Sequence, residues 1–150
     1  MAVAAVVVAV DQATKWLALD RLAGGREVDL VWTLRLRLVF NRGGAFGLGS
    51  RFAPVIALVG VAVGVGLLRG RHQLVGVLPL VAAGMVVGGA IGNLLDRVLR
   101  DGHGFLGGAV VDFVDVQWWP VFNVADSAIC VGAVVLALTM SRERVGATAS

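Results

Sequence analysis

The chain has 150 residues, room for one domain, but 58% are hydrophobic and 15% charged, against roughly 45–50% and about 25% in soluble domains. That balance excludes an ordinary soluble fold and points to a membrane protein. The net charge of +3 comes from 13 basic residues with no basic stripe or aromatic-and-basic module, so no nucleic-acid partner is expected and the charges suit lipid headgroups and membrane orientation.

The first apolar segment covers about residues 1–22. Charges stand where a signal-peptide cleavage site would lie, and a basic leader is missing, so it reads as a retained helix. Asp11 and Lys15 are four apart on it, acid before base, a pair that a bundle interior accepts. Over about residues 26–50 the pattern changes. Leu34-Arg35-Leu36-Arg37-Leu38 alternates strictly, the period of a half-exposed strand, and a charged open strand belongs outside the hydrocarbon. A turn-rich passage follows, Asn41-Arg42-Gly43-Gly44-Ala45-Phe46-Gly47.

The second apolar run is about residues 52–68 and the third about 74–99. In the third, Gly84, Gly88 and Gly92 recur every four residues and the same stripe continues to Asp96. Glycines so spaced admit a neighbouring helix, which directs Asp96 and Asn93 to a helix interface. Residues 101–119 read as a glycine-rich loop leading through Val110-Val111-Asp112-Phe113 to Trp118-Trp119, and the fourth run is about 122–140. Four spans put both termini on one side of the membrane and all four tryptophans near the other, as an interfacial belt does. The fold class expected is an all-α membrane protein, a single domain built as a four-transmembrane-helix bundle with a small β-sheet outside the bilayer.

Several chemistries are disfavoured by the residues available. His72 and His103 lie in loops on opposite faces, without the spacing of a zinc protease. No span offers a serine with a histidine partner, and the glycine stripe carries no Lys-Ser/Thr pair for phosphates. Cys130 lies in an apolar run, where a thiol is a poor nucleophile. What remains is carboxylates, and ionised groups beside hydrocarbon are functional candidates. Two held close share a proton, so that one takes a proton from water while the other polarises a peptide carbonyl. No metal and no cofactor is needed. Asp112 and Asp126 can be folded together at one membrane surface. Two other readings stay open on spacing alone: a proton-coupled small transporter using the intramembrane aspartates, and plain helix capping, since Asn123-x-x-Asp126 has the form of a helix start.

Five blocks carry a resemblance: Asp11-Gln-x-Thr-Lys15, Asn41-x-Gly-Gly-Ala-Phe46, Gly92-Asn-x-x-Asp-Arg97, Val111-Asp-Phe113 and Phe122-Asn-x-Ala-Asp126. In this order, over nearly the whole chain, they resemble lipoprotein signal peptidases, the bacterial membrane aspartyl proteases also called signal peptidase II. The resemblance implies a catalytic dyad of Asp112 and Asp126, substrate-binding roles for Asn41, Gly43, Asn93, Arg97, Asn123 and Ala125, and supporting roles for Asp11, Lys15 and Asp96. It implies a diacylglyceryl-prolipoprotein substrate cut before its lipidated cysteine, membrane lipids as partners, and a monomer. The location implied is the bacterial cytoplasmic membrane, with both termini cytoplasmic and the site near the outer surface. Gly44 stands where the family commonly has alanine, and the loops flanking Asp112 differ in length from the family's, which leaves Asp96 as the alternative partner of Asp126.

Overall fold

The computed structural model describes residues 1–42, 53–70, 74, 76–102 and 104–148. Its elements are, in order, α1 (Ala2–Arg21), a short 3-10 turn (Ala23–Gly25), β1 (Glu27–Val31), β2 (Leu34–Asn41), α2 (Ala53–Gly70), α3 (Val77–Leu99), β3 (Val110–Asp115) and α4 (Val124–Thr148). The protein is mainly helical with one three-stranded antiparallel sheet, ordered β1-β2-β3.

Small residues decide how the helices meet. On α3, Gly84 and Gly88 face Val3, Ala4 and Val7 of α1, and a methyl added at Gly88 would lie 2.7 Å from the Ala4 carbonyl oxygen. The glycine stripe is therefore the α1–α3 contact itself. Gly132 of α4 does the same on the other side of α3, where an added methyl would sit 2.7 Å from the Ala82 carbonyl. Backbones this close leave no room for water. Around that second contact Ala82, Ala83, Val86 and Leu136 are buried together, with Leu67 and Leu74 against them.

α1 and α3 are each long and apolar enough to cross a membrane. Within α2 and α4 the apolar stretches among the described residues, Leu58–Leu67 and Val124–Thr139, are shorter than a full crossing. Among the described residues, two of the four expected spans thus pass this test of length and composition.

The sheet seats on the C-terminal end of α1. Ala18 and Leu22 form a buried cluster with Val111 and Phe113, and Leu36 and Leu38 pack against it. The alternating leucines of β2 are the reason the strand lies there. β3 corrects the sequence reading, which left residues 101–119 as a loop. Its β-branched run Val110-Val111 pairs with Phe40 and Asn41 of β2, and its other side is satisfied too. The Val111 N–H donates to Asp96 at 3.0 Å, and Val114 exchanges backbone bonds with Phe122 at 2.9 and 3.0 Å. A strand held on both sides buries nearly all its residues, and one of these is Asp112.

Candidate active site

The site is built outward from one buried cation. Lys15 of α1 is fully buried, and its ammonium lies 2.9 Å from Asp11 Oδ2 and 3.0 Å from Asp96 Oδ2. One positive charge between two carboxylates leaves an excess of negative charge. Arg100 offsets it, with Nε 2.9 Å from Asp96 Oδ1 but off the line of a hydrogen bond. The remaining lone pairs tie neighbouring elements. Asp11 Oδ1 accepts the Ala125 N–H of α4 at 3.0 Å, and Gln12 donates to Asp11 and to the Gly92 carbonyl, both at 3.1 Å. Gly92 is glycine because an added methyl would meet Asp11 Oδ2 at 2.6 Å. Buried ions with these partners are costly to disturb singly, so α1, α3, β3 and α4 are fixed relative to one another here.

Lys15 has a third partner, Asn93 Oδ1 at 3.0 Å. The cation needs an acceptor, so the Asn93 amide must turn its oxygen to Lys15 and its NH2 group the other way. That group donates to Asp126 Oδ1 at 2.8 Å. Asn123 is oriented by the same logic. Its Oδ1 accepts the Asp126 N–H at 2.9 Å, so its Nδ2 faces Asp112 Oδ1, at 2.6 Å. The Asn123 N–H in turn donates to Asp126 Oδ2 at 3.2 Å. Residues 123 and 126 thus form the reciprocal box that starts a helix. The capping reading of the sequence is correct in geometry, and it is also what holds Asp126 beside Asp112.

Asp112 sits opposite Val39 in the sheet, and Asn41, two residues on along the same face, donates to Asp112 Oδ2 at 2.9 Å. Both carboxyl oxygens are therefore engaged by amide NH2 groups. Burial, and then the negative charge of Asp126, raise the Asp112 pKa to about 7, against the opposing pull of the Asn41 and Asn123 hydrogen bonds and of Lys15. A carboxyl so placed carries a proton near neutrality.

Of the residues singled out in the sequence, Asn41, Asn93, Asn123, Asp112 and Asp126 are joined in this one network. Asp11, Lys15 and Asp96 form its base. Asp96, the alternative partner for Asp126, is neutralised by Lys15 and engaged by the Val111 N–H, an arrangement for bracing. Asn123 and Ala125 were expected to bind substrate, but both are fully buried and act on the two acids and on Asp11. Arg97 is also buried; it donates to the Gly108 carbonyl at 3.3 Å, and its charge acts on Asp112, Asp126 and Asp96. Gly43 lies outside the described residues, as do His72 and His103.

Three residues were missed. Gln12 and Arg100 serve the ion cluster. Asp115 is the third: buried on β3, it takes hydrogen bonds from Arg35, at 2.8 Å, and from Arg37. Its own burial would raise its pKa, but these arginines and the Gln117 N–H outweigh that and hold it down at about 2. The alternating arginines of β2 were a signal that a carboxylate must face them.

The profile of the Signal peptidase (SPase) II family matches residues 3–142. The chain belongs to the signal peptidase II family. It is 45% identical over 135 residues to a lipoprotein signal peptidase of Rhodococcus jostii strain RHA1, covering 89% of this chain and 68% of the relative. With a lipoprotein signal peptidase of Mycobacterium avium strain 104 it shares 43% over 137 residues, 91% of this chain and 75% of the relative. Two solved bacterial membrane enzymes, determined in meso, superpose on it with TM-scores of 0.80 and 0.75, each 26% identical. They cover 95% and 92% of this chain and 87% and 89% of their own. Membership of the family makes the chain a peptidase that removes signal peptides from prolipoproteins, and the family is of aspartyl type. The transporter reading finds no support among these matches.

Proposed function

We propose that the chain is an aspartyl endopeptidase of the bacterial cytoplasmic membrane that cuts diacylglyceryl-modified prolipoproteins before the lipidated cysteine, with Asp112 and Asp126 as its two acids. The observation that carries this is Asn123. One residue donates its side-chain amide to Asp112 and its backbone N–H to Asp126, so the two carboxyls are held as a unit. Asp112, with its raised pKa, keeps the shared proton. Asp126 stands in the first turn of α4, where the helix dipole favours negative charge, and serves as base. It takes a proton from water as the water oxygen attacks the scissile carbonyl carbon, and Asp112 donates its proton to the carbonyl oxygen. Collapse of the tetrahedral intermediate breaks the C–N bond: the leaving nitrogen takes the proton held by Asp126, and one hydroxyl returns its proton to Asp112 as the carbonyl re-forms.

Asn41, which donates to Asp112 from β2, borders the bound peptide, and Gly43 keeps the substrate-binding role that the family resemblance implies. Asn93, Arg97, Asn123 and Ala125 set the positions of the acids. The four helices form a single bundle, with both termini cytoplasmic and the dyad near the outer surface, and the protein works as a monomer among membrane lipids. In support, the sheet and the dyad lie at one end of the helices, as does an exposed set of tryptophans. The test is incubation of the protein, in a bilayer, with a diacylated precursor and with the same precursor unlipidated. Release of a signal peptide from the lipidated form alone is expected. Equal cleavage of both, or of neither, contradicts the reading.

A further inference from the structure

The hairpin joining β1 to β2 breaks a local rule. Val31 pairs with Leu34, so the loop is two residues, Trp32 and Thr33. Trp32 has φ +55 while Thr33 keeps an ordinary φ. The first place of such a turn belongs to glycine. A bulky side chain there is strained, and strain of this kind persists where function needs the residue. Trp32 is nevertheless 100% exposed and touches nothing that would repay the strain.

A second loop repeats the pattern beside the first. Gln117 has φ +68, is held by Asp115 through its N–H at 2.7 Å, and donates its side-chain amide to the Thr33 carbonyl at 3.0 Å. Trp118 and Trp119 follow it, both exposed, while Leu30 and Val31 are exposed on the hairpin. The two loops, joined by the Gln117–Thr33 hydrogen bond and each with one residue at positive φ, thus present three exposed tryptophans and two exposed aliphatic side chains. Neither Leu30–Thr33 nor Gln117–Phe122 contains an ionised side chain. Exposed turns are ordinarily polar or charged, so this surface is not built for water.

We infer that the paired Trp32 and Trp118–Trp119 loops are an interfacial foot that seats the far end of the sheet in the headgroup boundary of the bilayer. The occupant is a lipid surface because tryptophan, with an apolar ring and one N–H donor, favours that boundary. The sheet also stands on the C-terminal end of α1, a helix long enough to cross a membrane and carrying the exposed Trp16 nearby. The foot has a purpose in the proposed peptidase, on which this inference rests. β2 runs eight residues from Leu34, beside the foot, to Asn41 on Asp112, about 23 Å at the rise of a strand. Lipid contact at one end therefore sets the height of the dyad at the other.

The experiment uses the full chain with Trp16, Trp118 and Trp119 changed to phenylalanine, leaving Trp32 as the sole tryptophan. It is reconstituted in phosphatidylcholine–phosphatidylglycerol vesicles with bromine placed either high or deep on the acyl chains. Blue-shifted emission, largely lost with the shallow bromines and retained with the deep ones, is expected. Emission of a water-exposed indole, quenched by acrylamide and indifferent to brominated lipid, overturns the inference, including the case in which the loops dock another protein. Trp32→Gly in the otherwise native chain is the second arm. It should melt higher in detergent, since the strain is gone, and lose part of the lipid quenching; unchanged quenching overturns the inference. Neither readout needs catalysis, so cleavage of a diacylated precursor measured in parallel reports on the proposed activity separately.

Discussion

Replacing Asp112 with asparagine is expected to stabilise the protein at pH 8 and to do so hardly at all at pH 5. In the folded chain the Asp112 pKa stands at about 7 against an ordinary 3.8, raised first by burial and next by Asp126. The unfolded chain releases that proton near pH 4. The folded state binds it more tightly, so this contribution to stability is complete below about pH 4, shrinks as the pH rises, and is gone above about pH 7. Three pKa units correspond to up to about 4 kcal/mol. Asparagine has no charge to bury and escapes that loss. It keeps one carbonyl oxygen, however, for two amide donors, Asn41 Nδ2 and Asn123 Nδ2, and the donor left over costs about 1 kcal/mol at every pH. The net gain is about 3 kcal/mol at pH 8 and under about 1 kcal/mol at pH 5. Thermal unfolding in detergent, followed by tryptophan emission at both pH values, measures the difference. A substitution that destabilises at pH 8, or that shifts both melting points equally, refutes the reasoning.

Lys15→Met strands Asp11 and Asp96 beside each other and is expected to cost about 3–5 kcal/mol; adding Asp11→Asn should restore part of that in a double-mutant cycle, and simple additivity of the two losses would contradict the ion cluster. Gly88→Ala places a methyl 2.7 Å from the Ala4 carbonyl and should cost about 1–3 kcal/mol, with α1 pushed off α3 and precursor cleavage slowed. Asp115→Asn removes the charge facing Arg35 and Arg37, both partly in solvent, so a loss on the order of 1 kcal/mol is expected, read as faster amide exchange over Glu27–Asn41. Because the Asp115 pKa is held low, native stability from this contact is kept above about pH 4 and lost as pH falls through about 2.

The helices and the base of the site were legible in the sequence because each rests on a spacing. Asp11 and Lys15 are one turn apart, and the Gly84-Gly88-Gly92 stripe delivers Asp96 to the same interface. The leucines of β2 announced a strand with one buried face. What spacing does not encode was lost. β3 is a six-residue strand interrupted by two aspartates, and its main pairing is with β2, about seventy residues away in sequence, so it read as loop. Asp115 acquires its arginines only through that register. Asn93 and Asn123 were expected to bind substrate, but their contacts to the acids come from which way each amide points, and Lys15 and the first turn of α4 decide that. At Asp126 capping and acid chemistry were competing readings, and one carboxyl does the first while standing where it can do the second.

The central claim is that Asp112 and Asp126 act as one unit. Single-turnover cleavage of a diacylated precursor by Asp112→Asn, Asp126→Asn and the double substitution tests it most directly. Each single change is predicted to slow cleavage by at least about 10²–10⁴-fold, with the double no slower than the worse single. Near-native cleavage by either single variant, or losses that multiply in the double, would contradict the account.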